Sequence, residues 1–482
     1  MRLGQTSIVF FVSKVLGSAL GFVATIYFAR VLGEEILGFY ALVLSIVAWL
    51  TVLGKVGLSS AITKRISEGD EREAYATAGA ITLTAIGIVV AAGVILFQGY
   101  VNSYVGRPVA SLTAVIIFAA FSSSFVFAAL KGYHLVHVYA ILSTTRIVAR
   151  ALIQIALVVV GFQLTGLLVG YAAAAVVFTV AGLAILRIRP VWPKKRHFTS
   201  LFDFAKFSWL GGMRGKTFDQ VDIIVLGFFV QTGLIGVYSV AWSLSKFLDI
   251  FSSAVSTTLF PEMSETAAQN DPESIAGLVE DALAFGGLII VPGFVGGTVL
   301  ADRIMSIYSD GFVVGEAVLP LLIVALLIYT YNKQLLNVLN AIDRPDLAFR
   351  ANAVFIATNV ILNVVLIWQI GWVGAAIATA LSAAVGLVFA FYYANKNVPF
   401  SLPYGEIARQ WTAALAMGAV VYATRMFGEA RWAWVPDYNA VFVISLVSLG
   451  ATVYFTLLLG ISNRFRTTVS NNLPVDLPLI GK

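Results

Sequence analysis

The stretch FAKFSWLGGMRGKTFDQVDIIVLGFFV (residues 204–230) is long and apolar enough to cross a bilayer, yet charged residues lie near its middle. These residues are Arg214, Lys216, Asp219 and Asp222. A charge at the centre of a membrane helix costs roughly 3 kcal/mol on insertion scales, so four of them are unfavourable against lipid. At 100° per residue, Lys216, Asp219 and Asp222 share one broad face, whereas Arg214 falls off it. The pattern predicts a helix that lines a water-filled transport pathway.

The rest of the chain has the composition of an all-α integral membrane protein. Its 482 residues are 59% hydrophobic and only 12% charged, whereas soluble domains carry about 25% charged residues. Apolar runs of about 20 residues predict about fourteen transmembrane helices. These lie near residues 8–28, 36–56, 77–97, 112–130, 142–162, 167–186, 204–230, 234–253, 282–300, 318–339, 351–370, 372–393, 407–423 and 441–458.

The distribution of basic residues predicts a cell-membrane protein with both termini in the cytoplasm. Of the 31 lysines and arginines, eight lie within predicted spans, 18 fall on one side of the predicted topology and five on the other, so the side with 18 is the cytoplasmic side. The connector RIRPVWPKKRHF (residues 187–198) is the most basic stretch. It is interpreted as a topology signal and linker, or alternatively as a strip that binds anionic lipid headgroups. The predicted parts are an N-lobe (1–187), a linker (188–203), a C-lobe (204–394), two further helices (395–461) and a cytoplasmic tail (462–482).

An internal repeat relates the two predicted lobes. A shift of 198 residues aligns ILGFYALVLS (residues 36–45) with LIGVYSVAWS (residues 234–243). Six helices separate equivalent segments, so the two copies run in the same direction through the membrane. Secondary transporters built from repeats bind their substrate at the interface between the copies. The sequence therefore predicts two parallel six-helix repeats followed by two extra C-terminal helices.

Several other polar residues lie within predicted spans. Lys14 lies among small residues of the first helix; helix packing explains the glycines there, but it does not explain the lysine. Arg150 and Gln154 form a stripe on the fifth helix. A shift of 209 residues aligns them with Asn359 and Asn363 of the eleventh helix, which have the same spacing. Lys333 lies inside the tenth helix.

The predicted pathway has more basic than acidic groups, which favours an anionic ligand such as a phosphate or pyrophosphate headgroup. The candidate substrate-binding residues are Lys14, Arg150, Gln154, Arg214, Lys216, Lys246, Lys333, Asn359 and Asn363. The candidates for ion coupling are Asp219, Asp222 and Asp249. These carboxylates have a second interpretation, in which they only balance the cations, and Lys246 with Asp249 would then form an intrahelical pair.

The sequence contains no recognisable motif of an enzyme active site. There is no phosphate-binding glycine-rich loop with lysine and no Asp-x-Asp metal site, and the absence of cysteine excludes thiolate metal sites. The three histidines lie in predicted cytoplasmic loops. We expect no catalytic residue, metal, cofactor or nucleic-acid partner. A drug or cation antiporter is the alternative transporter, and it predicts a net acidic pathway.

The segment LGSALGFVATIYFARVLGEEILGFYALVLSI (residues 16–46) resembles the opening of polysaccharide-biosynthesis flippases, in the multidrug/oligosaccharidyl-lipid/polysaccharide exporter superfamily. The residues that carry this resemblance are Arg30, Leu32, Gly33, Leu37, Gly38 and Tyr40. Segments of the second half resemble the family as well: GVYSVAWSLS (236–245), LFPEMSE (259–265) and GWVGAAIATALS (371–382).

The resemblance implies two six-helix bundles that form a V around a basic cavity. It also implies a flippase that moves a polyprenyl- or dolichol-phosphate-linked saccharide to the outer leaflet by alternating access. Archaeal members of this kind would serve protein N-glycosylation. The implied partners are the lipid-linked sugar, membrane lipids, and glycosyltransferases or an oligosaccharyltransferase of the same pathway.

Overall fold

The protein is helical throughout the part that the structure describes. In this computed structural model the described residues are 3–55, 57–269, 271–432, 434–435 and 437–472, and side chains are described from residue 20 onward except at 207–214, 272, 471 and 472. These residues form nineteen α-helices and one 3₁₀-helix, without a strand. The α-helices are α1 Leu3–Lys55, α2 Leu58–Ser67, α3 Arg72–Leu96, α4 Gln98–Val105, α5 Ala110–Gly132, α6 Val136–Val159, α7 Gln163–Leu186, α8 Lys195–Phe229, α9 Thr232–Phe247, α10 Asp249–Ala268, α11 Pro272–Gly286, α12 Ile290–Val299, α13 Ala301–Ser306, α14 Leu319–Ala341, α15 Pro345–Ile370, α16 Trp372–Asn397, α17 Tyr404–Arg431, α18 Asn439–Ile461 and α19 Asn463–Asn472. The 3₁₀-helix is Asp310–Ala317.

The helices confirm an all-α protein with many membrane spans. Among the described residues, ten helices are long and apolar enough to cross a membrane, and an eleventh span results if α9 and α10, bent by 45°, are joined. All fourteen predicted segments fall on helices. The first two lie in α1, where Gly33 (φ 78°, ψ 176°) separates them in a conformation that is essentially restricted to glycine.

Backbone contacts divide the chain into two compact units, Met1–Ser239 and Val240–Lys482. The first unit holds α1 to α8 and the start of α9. The second holds the remaining helices and a buried apolar cluster that α10, α11, α14, α15 and α16 form together. The predicted lobe boundaries and the predicted V-shaped cavity stay predictions.

Helix α8, which carries the charged stretch, is anchored to the first unit near both of its ends. Near its start, the Lys64 ammonium of α2 lies 4.6 Å from the centre of the Phe204 ring. Near its end, the Tyr104 hydroxyl of α4 donates a 2.7 Å hydrogen bond to the Ile224 carbonyl. Gly227 allows this approach, because a Cβ there would collide with the Tyr104 hydroxyl.

Two glycines allow α1 and α9 to touch through their backbones. A Cβ added at Gly38 would overlap the Thr232 carbonyl, and a Cβ at Gly236 would overlap the Glu34 carbonyl. The 198-residue shift relates Gly38 to Gly236 and Glu34 to Thr232. The two contacts are therefore reciprocal, as in a self-complementary interface between equivalent surfaces. This reciprocity supports the predicted repeat.

Candidate functional site

Cations of three helices gather in the first unit. Lys216 of α8 and Arg146 of α6 both act electrostatically on Lys55 at the end of α1. The Lys55 ammonium also lies 5.9 Å from the centre of the Phe121 ring. Because both charges that act on Lys55 are positive, the three side chains repel one another, and an anion bound among them would relieve that repulsion. We call Lys55, Arg146 and Lys216 the cationic cluster.

Two other predicted substrate-binding cations lie outside the residues whose side chains the structure describes. They are Lys14 and Arg214. Their roles therefore stay predictions. Lys216, two residues after Arg214, is half-buried.

The two predicted site residues of α6 differ in burial: the Gln154 amide is buried, and the Arg150 guanidinium is half-buried. Gln154 is 3% exposed, and its Nε2 donates to Tyr40 Oη at 2.9 Å and to the Leu167 carbonyl at 2.7 Å. These bonds join α6 to α1 and α7. Arg150, one turn earlier, stacks its guanidinium 5.2 Å from the centre of the Tyr171 ring. Gln154 thus has a packing role, while its predicted role in substrate binding is untested.

The acidic residues of α8 lie at different depths. Asp222 is 3% exposed, and Tyr238 of α9 donates its hydroxyl proton to the carboxylate. Tyr238 is itself 1% exposed and is the repeat equivalent of Tyr40, so both copies use this tyrosine to bond a polar side chain. Asp219, one turn away from Asp222, is half-buried. Their predicted role in ion coupling stays a prediction.

A polar seam joins α10 to α14 in the second unit. Asp249, the first residue of α10, lies where the chain bends between α9 and α10. Its carboxylate is 3.5 Å from Lys333 Nζ and accepts bonds from Ser253 Oγ at 2.8 Å and Thr330 Oγ1 at 3.3 Å. Lys333 also donates to Ser253 Oγ at 2.8 Å. A predicted substrate cation and a predicted coupling carboxylate are therefore partners.

The predicted asparagines of α15 are fully buried. Asn359 donates to Ser382 Oγ of α16 at 2.9 Å, and Asn363 donates to the Asn359 carbonyl at 3.0 Å. Both residues are 0% exposed. Lys246, in the last turn of α9, is half-buried. Substrate binding by these three residues is not tested by their geometry.

Comparisons with known proteins assign the chain to a family. A family profile described as polysaccharide biosynthesis protein matches residues 3–267, more than half of the chain. The chain belongs to this family. It is 30% identical to a protein named probable flippase AglR of Haloferax volcanii, across 99% of both chains. It is also 29% identical to the probable low-salt glycan biosynthesis flippase Agl15 of the same organism, across 88% of this chain and 90% of the relative.

Solved structures share the fold of this family member. The lipid II flippase MurJ in an inward closed conformation matches with a TM-score of 0.80 at 17% identity, covering 96% of this chain and all of the other. An inward-facing multidrug resistance MATE transporter of the MOP superfamily matches with a TM-score of 0.62 at 16% identity, covering 79% of this chain and 95% of the other. The resemblance drawn from residues 16–46 is confirmed.

Sequence reasoning assigned no role to His197, which lies at the start of α8. This histidine is 2% exposed, and its Nε2 lies 2.8 Å from a Glu71 carboxylate oxygen. Its Nδ1 accepts the Lys194 N–H at 2.9 Å, so Nε2 carries the proton that Glu71 accepts. Arg196 pairs with the other oxygen of Glu71. The hydrogen bond from His197, with Arg196 adding to it, lowers the pKa of Glu71.

The His197 contact fixes the connector between α7 and α8 to the start of α3. A histidine three residues after a helix cap was the sequence signal for its local bond to Lys194, because that spacing is the spacing of a capping box. No local pattern could indicate Glu71, which is 126 residues away.

Proposed function

We propose that this protein is a flippase that moves a polyprenyl- or dolichol-phosphate-linked saccharide from the cytoplasmic to the outer face of the cell membrane. Both termini would lie in the cytoplasm, and transport would use alternating access. The flipped lipid would supply protein glycosylation or surface polysaccharide assembly, with glycosyltransferases or an oligosaccharyltransferase as pathway partners. The protein itself would carry no catalytic residue.

The observation that carries this proposal is the cationic cluster of Lys55, Arg146 and Lys216. Three cations in the membrane part of one unit are unfavourable without an anion, and a phosphate group is an anion that lysine and arginine bind through charge-assisted hydrogen bonds. The names of the relatives agree with a lipid-linked cargo. In this proposal the phosphate docks on Lys216 together with Lys14 and Arg214, and the lipid tail remains in the bilayer.

The polar seam of the second unit suggests how cargo binding could be coupled to a change of state. A phosphate that approaches Lys333 competes with the Asp249 carboxylate, which is 3.5 Å from the ammonium. Release of Asp249 would then free it for a proton or a cation. We propose Asp219 and Asp222 as further candidates for such coupling.

The proposal is tested by asking which leaflet holds the lipid-linked sugar. The gene is deleted in its host, and a membrane-impermeant glycan probe is applied to sealed cells and to inverted vesicles. Accumulation on the cytoplasmic face, with glycan missing outside, is the expected result. An unchanged distribution between the leaflets would reject the flippase and favour a drug or cation antiporter of the same fold.

The cationic cluster is tested in the same assay by returning variants to the deletion strain. We expect Lys216→Ala to lower the export of glycan about tenfold, because one charge-assisted hydrogen bond to the phosphate is worth about 1.5–3 kcal/mol. Lys206→Ala is the matched control, since Lys206 is on the same helix, 58% exposed, and bonded to Asp203. Equal export by both variants, at equal protein levels, would remove Lys216 from the site.

A further inference from the structure

The connector between α7 and α8 carries a row of exposed cations that no carboxylate pairs. Within the described part of the chain, the carboxylate that forms ion pairs with the connector is that of Glu71, which is already bonded to Arg196 and His197. The neighbouring turn adds two carboxylates and one cation and so leaves the excess of positive charge in place. Four basic side chains are exposed and form no ion pair among the described residues: Arg187, Arg189, Lys194 and Lys195.

The backbone of this connector is held against the ends of two membrane spans. Arg187 directly follows Leu186, the last residue of the span formed by α7. In the middle of the connector, the Val191 N–H donates a 3.3 Å hydrogen bond to Thr77 Oγ1, near the start of the span formed by α3. Two prolines, at 190 and 193, restrict the backbone further. The cations therefore lie at the level where these spans leave the bilayer.

A tryptophan projects from the same segment. Trp192 is 87% exposed, and the adjacent Val191 is 47% exposed. Tryptophan is enriched at the boundary between membrane and water, because its ring is apolar and its N–H is polar. The usual excess of basic residues in cytoplasmic loops accounts for the four cations, but it does not account for an exposed tryptophan among them.

We propose that the connector docks on the membrane surface and binds anionic lipid headgroups, with Trp192 inserted between the lipids. The exposed lysines and arginines would contact headgroup phosphates through charge-assisted hydrogen bonds. A soluble acidic protein or a nucleic acid fits less well, because the connector follows one membrane span directly and is bonded to the start of another. The lipid bound here belongs to the surrounding bilayer, so the inference does not depend on the cargo of the transporter.

A single fluorescent label beside Trp192 tests this contact. The chain contains no cysteine, so Val191→Cys gives the full-length protein one labelling site. The labelled protein is reconstituted in mixed bilayers of phosphatidylcholine and phosphatidylglycerol. A small, equal fraction of one of the two lipids carries a nitroxide quencher on an acyl chain, near the headgroup. The overall lipid composition is the same in both samples.

We expect labelled phosphatidylglycerol to quench with an apparent affinity about fivefold higher than labelled phosphatidylcholine, the gain that one lysine or arginine provides near an anionic surface. Equal quenching by the two lipids would overturn the recognition of anionic headgroups. Quenching by neither lipid would show that the connector does not touch the bilayer, and it would leave a soluble acidic partner as the explanation of the cations.

Neutral substitutions test the four cations in the same labelled protein. Replacing Arg187, Arg189, Lys194 and Lys195 together by glutamine should lower the ratio of the two affinities to about one. A ratio that stays at about five would reject these side chains as the site. The unsubstituted protein gives an independent check, because raising the salt from about 0.1 M to about 1 M shortens the Debye length from about 10 to about 3 Å. A preference that does not fall with salt would also contradict the proposal.

A second labelling site provides the matched control. Trp368 is 71% exposed near the end of the span formed by α15, and the sequence has no lysine or arginine between Arg350 and Lys396. A label at Trp368→Cys should therefore be quenched equally by the two lipids. The same preference at both positions would assign it to the bilayer as a whole and reject a site on the connector.

The role of Trp192 is separable from that of the charges. Trp192→Ala in the labelled protein should weaken the quenching by both lipids and leave their ratio unchanged, because the anchor is removed while the cations remain. Quenching by both lipids at the level of the unsubstituted protein would show that Trp192 does not enter the bilayer.

Discussion

At the scale of the residue, one ion pair of the second unit joins two side chains that lie far apart in the sequence. Asp249 and Lys333 are each about one-fifth exposed and meet across α10 and α14. Sequence reasoning identified both residues, because charges inside apolar runs are conspicuous. It could not pair them, since helical spacing only favoured Lys246 as a neighbour of Asp249. The distance between the two helices is set by tertiary packing, which no local pattern encodes.

This pair leads to a prediction about stability. Asp249→Asn leaves the Lys333 ammonium without its carboxylate and is expected to lower the free energy of unfolding by about 1–3 kcal/mol, less than for a fully buried pair because water reaches these groups. The double variant with Lys333→Met should recover much of this loss, because an apolar pair replaces an ion pair with little penalty. Thermal melts in detergent measure both. A double variant less stable than either single variant would refute the pairing.

At the scale of the element, apolar runs placed all fourteen predicted segments on helices. They did not predict that one span is broken at residues 287–289 or that α9 and α10 meet at a bend of 45°. Hydropathy averages over about twenty residues, and a break satisfied by side chains of another helix leaves the average unchanged. The break of α1 at Gly33 lies within residues 16–46, the segment that resembles the family. A glycine alone does not specify a turn, so the sequence did not predict this break.

The backbone contact between α1 and α9 is tested by two glycine substitutions. Gly38→Ala or Gly236→Ala places a methyl group on a carbonyl of the facing helix, and each is expected to destabilise by about 1–3 kcal/mol through overpacking. Gly93→Ala in α3 is the control, because no atom lies within 4 Å of its added Cβ. Fluorescence-detected melting of the three variants provides the measurement. Equal melting of Gly38→Ala and Gly93→Ala would argue against the contact.

At the scale of the whole molecule, the connector between α7 and α8 joins the two predicted repeats, and one carboxylate binds two residues at its end. Glu71 accepts bonds from His197 and Arg196, and these bonds lower its pKa. A carboxyl with a lowered pKa in the folded state contributes stability above its ordinary pKa, about 4.3, and loses that contribution as the pH falls through the folded value. The attachment of the connector should therefore persist at neutral pH and weaken only below about pH 4.

Hydrogen exchange of the connector measures this attachment. After correction for intrinsic rates, the amides of residues 188–197 should lose protection in the wild-type protein only below about pH 4. In Glu71→Gln they should lose protection at neutral pH, because the amide cannot replace the carboxylate for both partners. The neighbouring half-buried residue Glu73 provides the control as Glu73→Gln. Identical exchange in all three proteins would show that Glu71 does not hold the connector.

The span broken at residues 287–289 also has a consequence for biosynthesis. Its Ala284 carbonyl accepts a hydrogen bond from Gln410 of α17, 126 residues later, and its Leu288 carbonyl accepts one from Tyr454 of α18, 166 residues later. At translation rates of about 5–20 residues per second, the ribosome needs several more seconds to make these donors after the span has emerged. Until then, two carbonyls of a newly inserted helix have no permanent donor in the membrane. The second unit can therefore satisfy both carbonyls only after α18 has left the ribosome.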